Sequence, residues 1–333
     1  MPATLHDVAK LAGVSIKTVS NVVNNYEHVR PETRARVQQA IDELSYQPNL
    51  SARSLRSGRS GVISLVVPEL GLSYFAQLAE AVIERAEWHG LTVQVEQTGG
   101  DRDREIAMLS SARRQLADGL IFSPLGMGQS DAELLRVGYP MVILGERIFG
   151  GPVDHITMKN TEAARAATRF LLESGRRRIA VIGAHEGEVI GSAGLRLQGY
   201  REALEEAGVE YDPALISYTT LWHRANGAES MERLLADGVA FDAVFAFNDA
   251  LALGAMRVLQ QAGHRIPEDV SLMGFDDIEE ARFSVPGLTT IDPGRIQIAE
   301  RAVDLLVARA GKKHEAEVEE ILVDFEIIER ESH

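Results

Sequence analysis

Residues 4–24 read TLHDVAKLAGVSIKTVSNVVN, and this stretch predicts two short helices joined by a tight turn. The first helix is expected over about residues 5–11, with Thr4 as its N-cap and Asp7 completing a shortened capping box. Gly13 follows the first helix and supplies the backbone freedom that a sharp turn needs.

The second helix is predicted over about residues 16–23, with Ser15 as its N-cap. Its apolar side chains recur at helical spacing and should face inward: Val19, Val22 and Val23. Its polar side chains are left on the outer face: Lys17, Thr18, Ser20 and Asn21. Two helices of this kind form a helix-turn-helix, the geometry that places one helix in the major groove of DNA.

A third helix is predicted from Pro31 to Leu44, because PETRARVQQAIDEL has proline in its first turn and one apolar stripe. The segment SYQPNLSARSLRSGRSG follows at residues 45–61. Together these stretches resemble the DNA-binding head and hinge of the LacI/GalR family of bacterial transcription regulators, which are lac repressor-like. The resemblance implies a helix-turn-helix domain over 1–48 and a hinge helix with linker over 49–60.

Three sets of DNA contacts are expected on this basis. The base edges of the major groove would be read by Ile16, Lys17 and Asn21. The sugar–phosphate backbone would be contacted by Thr4, Ser15, Thr18, Ser20, His28 and Arg30. The hinge would enter the minor groove with Asn49, Ala52, Arg53, Leu55 and Arg56. Leu55 matches the apolar wedge with which such hinges kink the duplex, whereas the alternative for this short stretch is a plain linker.

The charge of the chain is unevenly distributed. The 333 residues carry a net charge of −15, yet residues 1–60 hold eight basic and five acidic side chains. A basic head on an acidic body concentrates phosphate affinity in one place, as expected of a protein with a double-stranded DNA partner.

From Gly61 onward, strand-length apolar runs alternate with amphipathic helices, for example a helix over Asp103–Ala117. This alternation predicts parallel sheets with helices on both faces, in two similar subdomains. The predicted fold is therefore an all-α head followed by an α/β, periplasmic-binding-protein-like body. The resemblance implies that the body, 61–333, binds an effector and dimerises. Its subdomains would be about 61–160 with 291–318, and about 161–290 with 319–330.

Ligands of open α/β folds bind beyond the carboxyl ends of the strands, where this chain has several polar residues. The resemblance implies effector contacts for Tyr74, Phe75, Glu146, Ser192, Arg196, Trp222, Asn248 and Asp276. Arginine, aspartate and asparagine suit sugar hydroxyls, and an aromatic face suits the apolar side of a sugar ring. The alternatives are a tryptophan in the core and an ion pair of Arg196 with Asp276. Asp249 is expected to be a helix N-cap.

Other functions are less well supported. There is no nucleotide-binding glycine motif, no catalytic serine elbow and no cysteine, so we expect no enzyme, cofactor or metal site. A sugar-binding protein without DNA function is disfavoured by the basic head and by the absence of a leader, which predicts a cytoplasmic protein. Lys159 stands where many relatives have aspartate, and Ile190 where purine-binding relatives have arginine, although Tyr74-Phe75 also occurs in purine-binding relatives. A purine or other metabolite thus stays the alternative effector. No leucine heptad ends the chain, so a dimer rather than a tetramer is expected.

Overall fold

The computed structural model describes residues 3–23, 26–46, 59–111, 117–310 and 317–333. The chain divides into two compact units, a head (Met1–Gly61) and a body (Val62–His333). All five residues predicted for the minor-groove hinge fall outside the described residues: Asn49, Ala52, Arg53, Leu55 and Arg56. None of the helices among the described residues is long and apolar enough to cross a membrane.

The head consists of three described helices, α1 (Leu5–Ala12), α2 (Ile16–Val23) and α3 (Pro31–Glu43). The capping box of α1 is present, since the Asp7 amide donates to Thr4 Oγ1 and the Thr4 amide donates to the Asp7 carboxylate. The turn after α1 places Gly13 at a φ of 64°, in the left-handed region. The small head core is formed by Val8, Ala9, Ala12, Val19, Val22, Val37, Ala40 and Tyr46.

The body alternates strands and helices, as the sequence predicts. Its strands are β1 (Val62–Val67), β2 (Thr92–Gln97), β3 (Leu120–Phe122), β4 (Met141–Leu144), β5 (Asp154–Met158), β6 (Ile179–Ala184), β7 (Ile216–Tyr218), β8 (Ala243–Ala246), β9 (Ser271–Met273), β10 (Thr290–Asp292), β11 (Glu320–Val323) and β12 (Glu326–Ile328). Its helices are α4 (Ser73–Trp88), α5 (Arg102–Leu109), α6 (Asn160–Glu173), α7 (Ser192–Glu206), α8 (Arg224–Ala236), α9 (Asp249–Gln261), α10 (Glu279–Phe283) and α11 (Arg295–Arg309).

Two parallel sheets form the two halves of the body. The first has the strand order β11-β5-β4-β3-β1-β2, and the second has the order β7-β6-β8-β9. Helices cover both sheets, which explains why the central strands are buried along their whole length. The predicted architecture, a helical head and an α/β body with two parallel sheets, is confirmed.

The chain passes between the two halves three times, after β5, after β10 and after β11. The second and third connections are joined because β10 and β12 pair as a short antiparallel ribbon. The first and third are joined because Lys159 forms an ion pair with Asp324. Lys159, which stands where many relatives have aspartate, is thus paired with an acidic residue of the third connection.

Two boundary predictions are wrong. Residues 319–330 were expected in the second half, but Glu320–Val323 form β11, which pairs in parallel with β5 in the first sheet. Only the last residues reach the second sheet, where Ser332 Oγ donates to the Leu272 carbonyl at 2.6 Å. A short apolar strand does not encode which sheet it joins. The helix predicted over Asp103–Ala117 ends at Leu109, where the Ser110 hydroxyl donates to the Ala107 carbonyl. Residues 112–116 of that prediction lie outside the described residues.

Helices α8 and α9 pack closely against each other in the second half of the body. A Cβ atom added to Gly227 would lie 2.1 Å from the Leu251 carbonyl oxygen, and one added to Gly254 would lie 2.0 Å from that of Arg224. Neither position tolerates a larger side chain unless the helices move apart. Because α9 begins next to Asn248, this packing also holds one wall of the site described below.

Candidate functional site

A cavity of about 350 Å³ lies between the two halves of the body, beyond the carboxyl ends of their strands. All eight residues predicted to contact an effector line it: Tyr74, Phe75, Glu146, Ser192, Arg196, Trp222, Asn248 and Asp276. The first three belong to the first half and the other five to the second half. The structure therefore brings together side chains that are more than 200 positions apart in the sequence. Their role as effector contacts stays a prediction.

Arg196 crosses the back of the cavity and is held by the protein itself. Its side chain is buried, with 2% of the residue exposed, and Nε donates to Asn160 Oδ1 at 2.7 Å. Its Nη1 donates to the Phe247 carbonyl, and its guanidinium lies 3.5 Å from the centroid of the Phe275 ring. Burial lowers the pKa of Arg196, while the nearby Asp276 carboxylate opposes that shift. The guanidinium is thus fixed in orientation, and part of its donor capacity is already used.

Asp276 faces the cavity in a strained backbone conformation. Its φ of 114° is unusual for a residue other than glycine, and its carbonyl accepts a hydrogen bond of 2.8 Å from Arg295 Nη1. Only 7% of the residue is exposed, yet no donor among the described residues bonds to its carboxylate. Burial raises the pKa of Asp276 to about 7, against the effect of Arg196 and Arg295. Because this carboxylate faces the cavity and accepts no hydrogen bond from the described residues, it is free to accept one from a ligand.

Asn248, and not Asp249, caps the helix that begins behind the cavity. Asn248 is the N-cap of α9, because its Oδ1 accepts from the Leu251 amide at 2.8 Å. The prediction that Asp249 caps this helix is wrong. Asp249 is buried and accepts hydrogen bonds from the Ile278 amide and the Thr290 hydroxyl, and burial raises its pKa well above the usual value. Both residue types cap helices well, so their order in the sequence could not distinguish them.

The aromatic side chains of the cavity come from both halves. Trp222 is tied by its ring nitrogen, which donates to the Gly183 carbonyl at 2.9 Å, and its carbonyl accepts from Asn248 Nδ2 at 3.1 Å. Opposite, the rings of Tyr74 and Phe75 meet edge to face with centroids 5.2 Å apart. Burial and the Asp276 carboxylate raise the pKa of Tyr74, so its hydroxyl remains a neutral donor. The cavity thus offers aromatic faces beside fixed polar groups.

Glu146 links the two halves at the cavity wall. Its carboxylate accepts from the Thr157 hydroxyl at 2.9 Å within the first half. It also accepts from the Ser192 hydroxyl at 2.5 Å, at the start of α7 in the second half. Only 5% of Glu146 is exposed, so the link lies inside the protein.

Three further polar contacts between the halves were not predicted from the sequence. Arg147 Nη1 lies 3.3 Å from Glu188 Oε2. His223 Nε2 lies 2.9 Å from Glu69 Oε2, and the Ser73 hydroxyl donates to Glu280 Oε1 at 2.5 Å. The last two pairs join residues 154 and 207 positions apart, and no local pattern marks such partners.

Two residues near the predicted effector contacts in the sequence, Ile190 and Asp277, do not line the cavity. Ile190, which stands where purine-binding relatives are expected to have arginine, is 47% exposed and does not line it. Asp277, at a φ of 47°, accepts a hydrogen bond of 2.6 Å from Arg330 Nη2 and so has a structural role. Among the described parts of the chain, no group of three or more histidine or acidic side chains could hold a metal ion.

The outer face of α2 carries the predicted DNA contacts of the head. Ser15, Ile16 and Lys17 are exposed at its start, and Thr18, Ser20 and Asn21 are partly exposed. His28 and Arg30 are exposed in the segment before α3, where His28 packs edge to face on Tyr26. Thr4 differs, because its hydroxyl donates to Asp7 at 2.6 Å and so already serves the cap of α1.

A helix-turn-helix head together with a two-lobed body around a ligand-sized cavity defines a ligand-controlled DNA-binding regulator. Comparison with protein families agrees with this class. Residues 4–49 match the model described as bacterial regulatory proteins, lacI family, and residues 168–333 match that of a periplasmic binding protein-like domain.

Whole-chain relatives carry the identification further. The regulator CelR of Thermobifida fusca is 36% identical over 317 residues, covering 92% of this chain and 91% of that protein. The repressor PurR of Mannheimia succiniciproducens is 34% identical over 332 residues, covering 99% and 98%. The chain therefore belongs to the LacI family of bacterial regulatory proteins. It is a transcriptional repressor with an effector-binding domain, and not an enzyme.

Solved structures show the same fold. A LacI-family regulator from Sanguibacter keddieii is 49% identical, with a TM-score of 0.77 over 82% of this chain and 98% of the other. A CelR–cellobiose complex is 33% identical, with a TM-score of 0.73 over 99% and 100%. The lac repressor dimer bound to operator and the anti-inducer ONPF is 28% identical, with a TM-score of 0.84 over 100% and 99%.

Proposed function

We propose that this repressor binds a palindromic operator as a homodimer in the cytoplasm and that a sugar in the body cavity controls its affinity for DNA. The observation that carries the sugar assignment is Asp276, a buried residue whose carboxylate faces the cavity and accepts no hydrogen bond from the part of the chain that the structure describes. A sugar hydroxyl donates the hydrogen bond that this carboxylate lacks, and Trp222 supplies a face for the ring. The CelR–cellobiose complex supports this choice, since it matches nearly the whole chain.

Three segments of the chain have different roles in this proposal. Residues 1–48 bind the major groove, 49–60 form the hinge, and 61–333 bind the effector and dimerise. The lac repressor dimer on its operator supports a dimer with two half-sites. Ile16, Lys17 and Asn21 read base edges in this proposal, whereas Ser15, Thr18, Ser20, His28 and Arg30 position the backbone. Thr4 is the remaining backbone contact of the prediction, although its hydroxyl and its amide both donate to the Asp7 carboxylate.

Control follows from a ligand that contacts both halves. Tyr74 and Glu146 lie on one side of the cavity, and Arg196 and Asp276 on the other. A sugar that contacts all four binds the closed arrangement more tightly than an open one, and this difference in affinity shifts the population of states.

The test has two stages. The melting temperature of the pure protein is measured against a library of sugars and purines, because a ligand of the native state raises it. Operator titrations with and without the stabilising sugar, at one fixed salt concentration, then measure control. Asp276→Ala should abolish the effect of the sugar on DNA while leaving sugar-free operator affinity nearly intact. A variant that still responds fully would show that the sugar binds elsewhere.

The alternative effector is a purine. It is favoured by the adjacent aromatic rings of Tyr74 and Phe75, on which a flat base could stack, and by the similarity to PurR. A rise in melting temperature with hypoxanthine or guanine, but with no sugar, would establish this alternative.

A further inference from the structure

Acidic side chains outnumber arginines on the described lining of the cavity. Carboxylates on its lining come from both halves: Glu69, Glu146, Glu188 and Asp276. Glu69 is paired with His223, and Glu188 is paired with Arg147 and His185. Glu146 and Asp276 are then left to face Arg196, the other arginine among the described residues of the lining, while Arg295 acts on Asp276 from outside the lining.

Arg196 is poorly placed to receive an anion. Its Nε and Nη1 atoms already donate to Asn160 and to the Phe247 carbonyl, and Nη2 lies 3.5 Å from the sulfur of Met158. One face of the guanidinium is covered by the Phe275 ring. A phosphate or carboxylate is recognised best by a bidentate pair of free N–H groups, and Arg196 does not present that pair freely.

The two carboxylates would act on an anion from opposite sides. Among the described residues, the hydrogen bonds to Glu146 come from two neutral hydroxyls, Thr157 and Ser192, and the nearby positive charge is that of Arg196. Asp276 accepts no hydrogen bond from the described residues. Because burial raises the pKa of Asp276 to about 7, its carboxylate carries the negative charge at pH 8, and binding is measured at that pH. Both groups are almost completely buried, where water screens charge weakly.

We propose that the cavity selects an uncharged polyhydroxylated effector and excludes its phosphorylated or carboxylated counterparts. This inference rests on the proposed function in one respect, that the effector occupies this cavity. It narrows the ligand class to free sugars and neutral glycosides, as opposed to sugar phosphates and sugar acids. Like charges brought together in a buried site cost enough that an anionic counterpart should bind at least about 100-fold more weakly.

The test uses matched pairs of probes with the full-length protein. Cellobiose is compared with cellobionate, glucose with glucose 6-phosphate and with glucuronate, and adenosine with adenosine monophosphate. Melting temperatures locate binding, and titration calorimetry measures Kd. Binding by the neutral member of a pair, with its anionic partner at least about 100-fold weaker, supports the inference. An anionic member that binds as tightly as its neutral partner overturns it.

The pairs also separate this inference from the proposed sugar function. If adenosine binds and adenosine monophosphate and the sugars do not, the sugar assignment fails while the charge selectivity stands. If glucose 6-phosphate binds in the cavity more tightly than glucose, the sugar assignment stands while the charge selectivity fails.

A second arm uses inorganic phosphate alone and works whichever organic ligand binds. Wild-type protein should bind phosphate only weakly, with a Kd measured at high phosphate concentration. Removing both charges, in Glu146→Gln with Asp276→Asn, should increase phosphate affinity at least about tenfold, because the amides keep the shape of the cavity without its repulsion. Glu133→Gln is the matched control, since it removes one exposed surface carboxylate that is paired with Arg136.

The outcomes of this arm are decisive. Equal phosphate affinity in wild type, control and double variant would show that the two carboxylates do not set selectivity. The single variants Glu146→Gln and Asp276→Asn are measured in parallel, and circular dichroism confirms that each is folded. A gain in either single variant supports the assignment if the double variant does not fold.

Discussion

Glu146 and Ser192 join the two halves of the body through a hydrogen bond of 2.5 Å at the wall of the cavity. Glu146 follows β4 of the first sheet, and Ser192 is the first residue of α7, which also carries Arg196. The position of α7, and with it the guanidinium, is therefore connected directly to the opposite half. Because the acceptor is a buried carboxylate, this bond is of the stronger, charge-assisted kind.

We expect Ser192→Ala to weaken binding of the stabilising sugar. The change removes the hydroxyl that bridges the halves, and a hydrogen bond to a charged group contributes roughly 1.5–3 kcal/mol, or about a tenfold or greater loss of affinity. Titration calorimetry measures the effect. Ser174→Ala is the control, because its hydroxyl bonds only to the nearby Leu171 carbonyl. Unchanged affinity in the Ser192 variant would mean that the link does not contribute to the bound state.

Asp276→Asn should stabilise the ligand-free protein at pH 8. Burial raises the pKa of Asp276 to about 7, so the folded protein binds a proton more tightly than the unfolded chain does. The stability from this proton is complete below about pH 4 and is lost as the pH rises to about 7. At pH 8 the wild type holds a buried charge, and its replacement should contribute about 2–4 kcal/mol.

The measurement is the free energy of unfolding of both proteins between pH 4 and pH 8. The advantage of the Asn variant should shrink steadily as the pH falls. Asp269→Asn serves as a control of opposite sign, since Arg265 lowers the pKa of Asp269 and its removal should destabilise the protein at pH 8. A constant difference between Asp276→Asn and wild type across this pH range would contradict the assignment.

Changes at Lys17 or Asn21 should alter which operator the protein prefers. Both lie on the outer face of α2, where side chains reach base edges. Arg30→Ala should instead weaken all operators alike and reduce the salt dependence by about one phosphate contact. Fluorescence anisotropy with a set of operator variants distinguishes the two behaviours. Equal weakening on every sequence by the Lys17 and Asn21 variants would count against base reading.

Leu55→Ala should weaken specific operator binding by a few kcal/mol and leave the body folded. The reason is the unstacking of base pairs that an apolar wedge in the minor groove sustains, which is worth about a few kcal/mol per step. Leu134→Ala is the control, because it truncates an exposed leucine of the body. Operator titration and the melting temperature together make the measurement. A variant with normal affinity would favour the plain linker.

The sequence predicted the cavity better than the contacts that hold it. Residues such as Arg196 and Asp276 could be placed because the carboxyl ends of parallel strands converge. The pairing of Glu69 with His223 could not be placed, because it depends on how the two halves meet. The choice between Asn248 and Asp249 as helix cap also failed, since adjacent residues of similar propensity differ only in their tertiary partners.

The sheet assignment of β11 shows the same limit at a larger scale. Residues Glu320–Val323 form this strand, but the sheet that a strand joins is decided by connections elsewhere in the chain. The edge of the first sheet beside β5 was open to it, and the short link to β12 then carried the chain to the second half. Periodicity reports local structure and cannot report this choice.

The three chain segments that connect the halves contact one another. The ribbon of β10 with β12 ties the second to the third, and the ion pair of Lys159 with Asp324 ties the third to the first. Linked in this way, the three connections form one continuous unit between the two halves. We expect opening of the cavity to be mainly a rotation about this unit, because its three parts are tied to one another. Charge reversal at Lys159 or at Asp324 would place like charges together and so remove the tie between the third connection and the first.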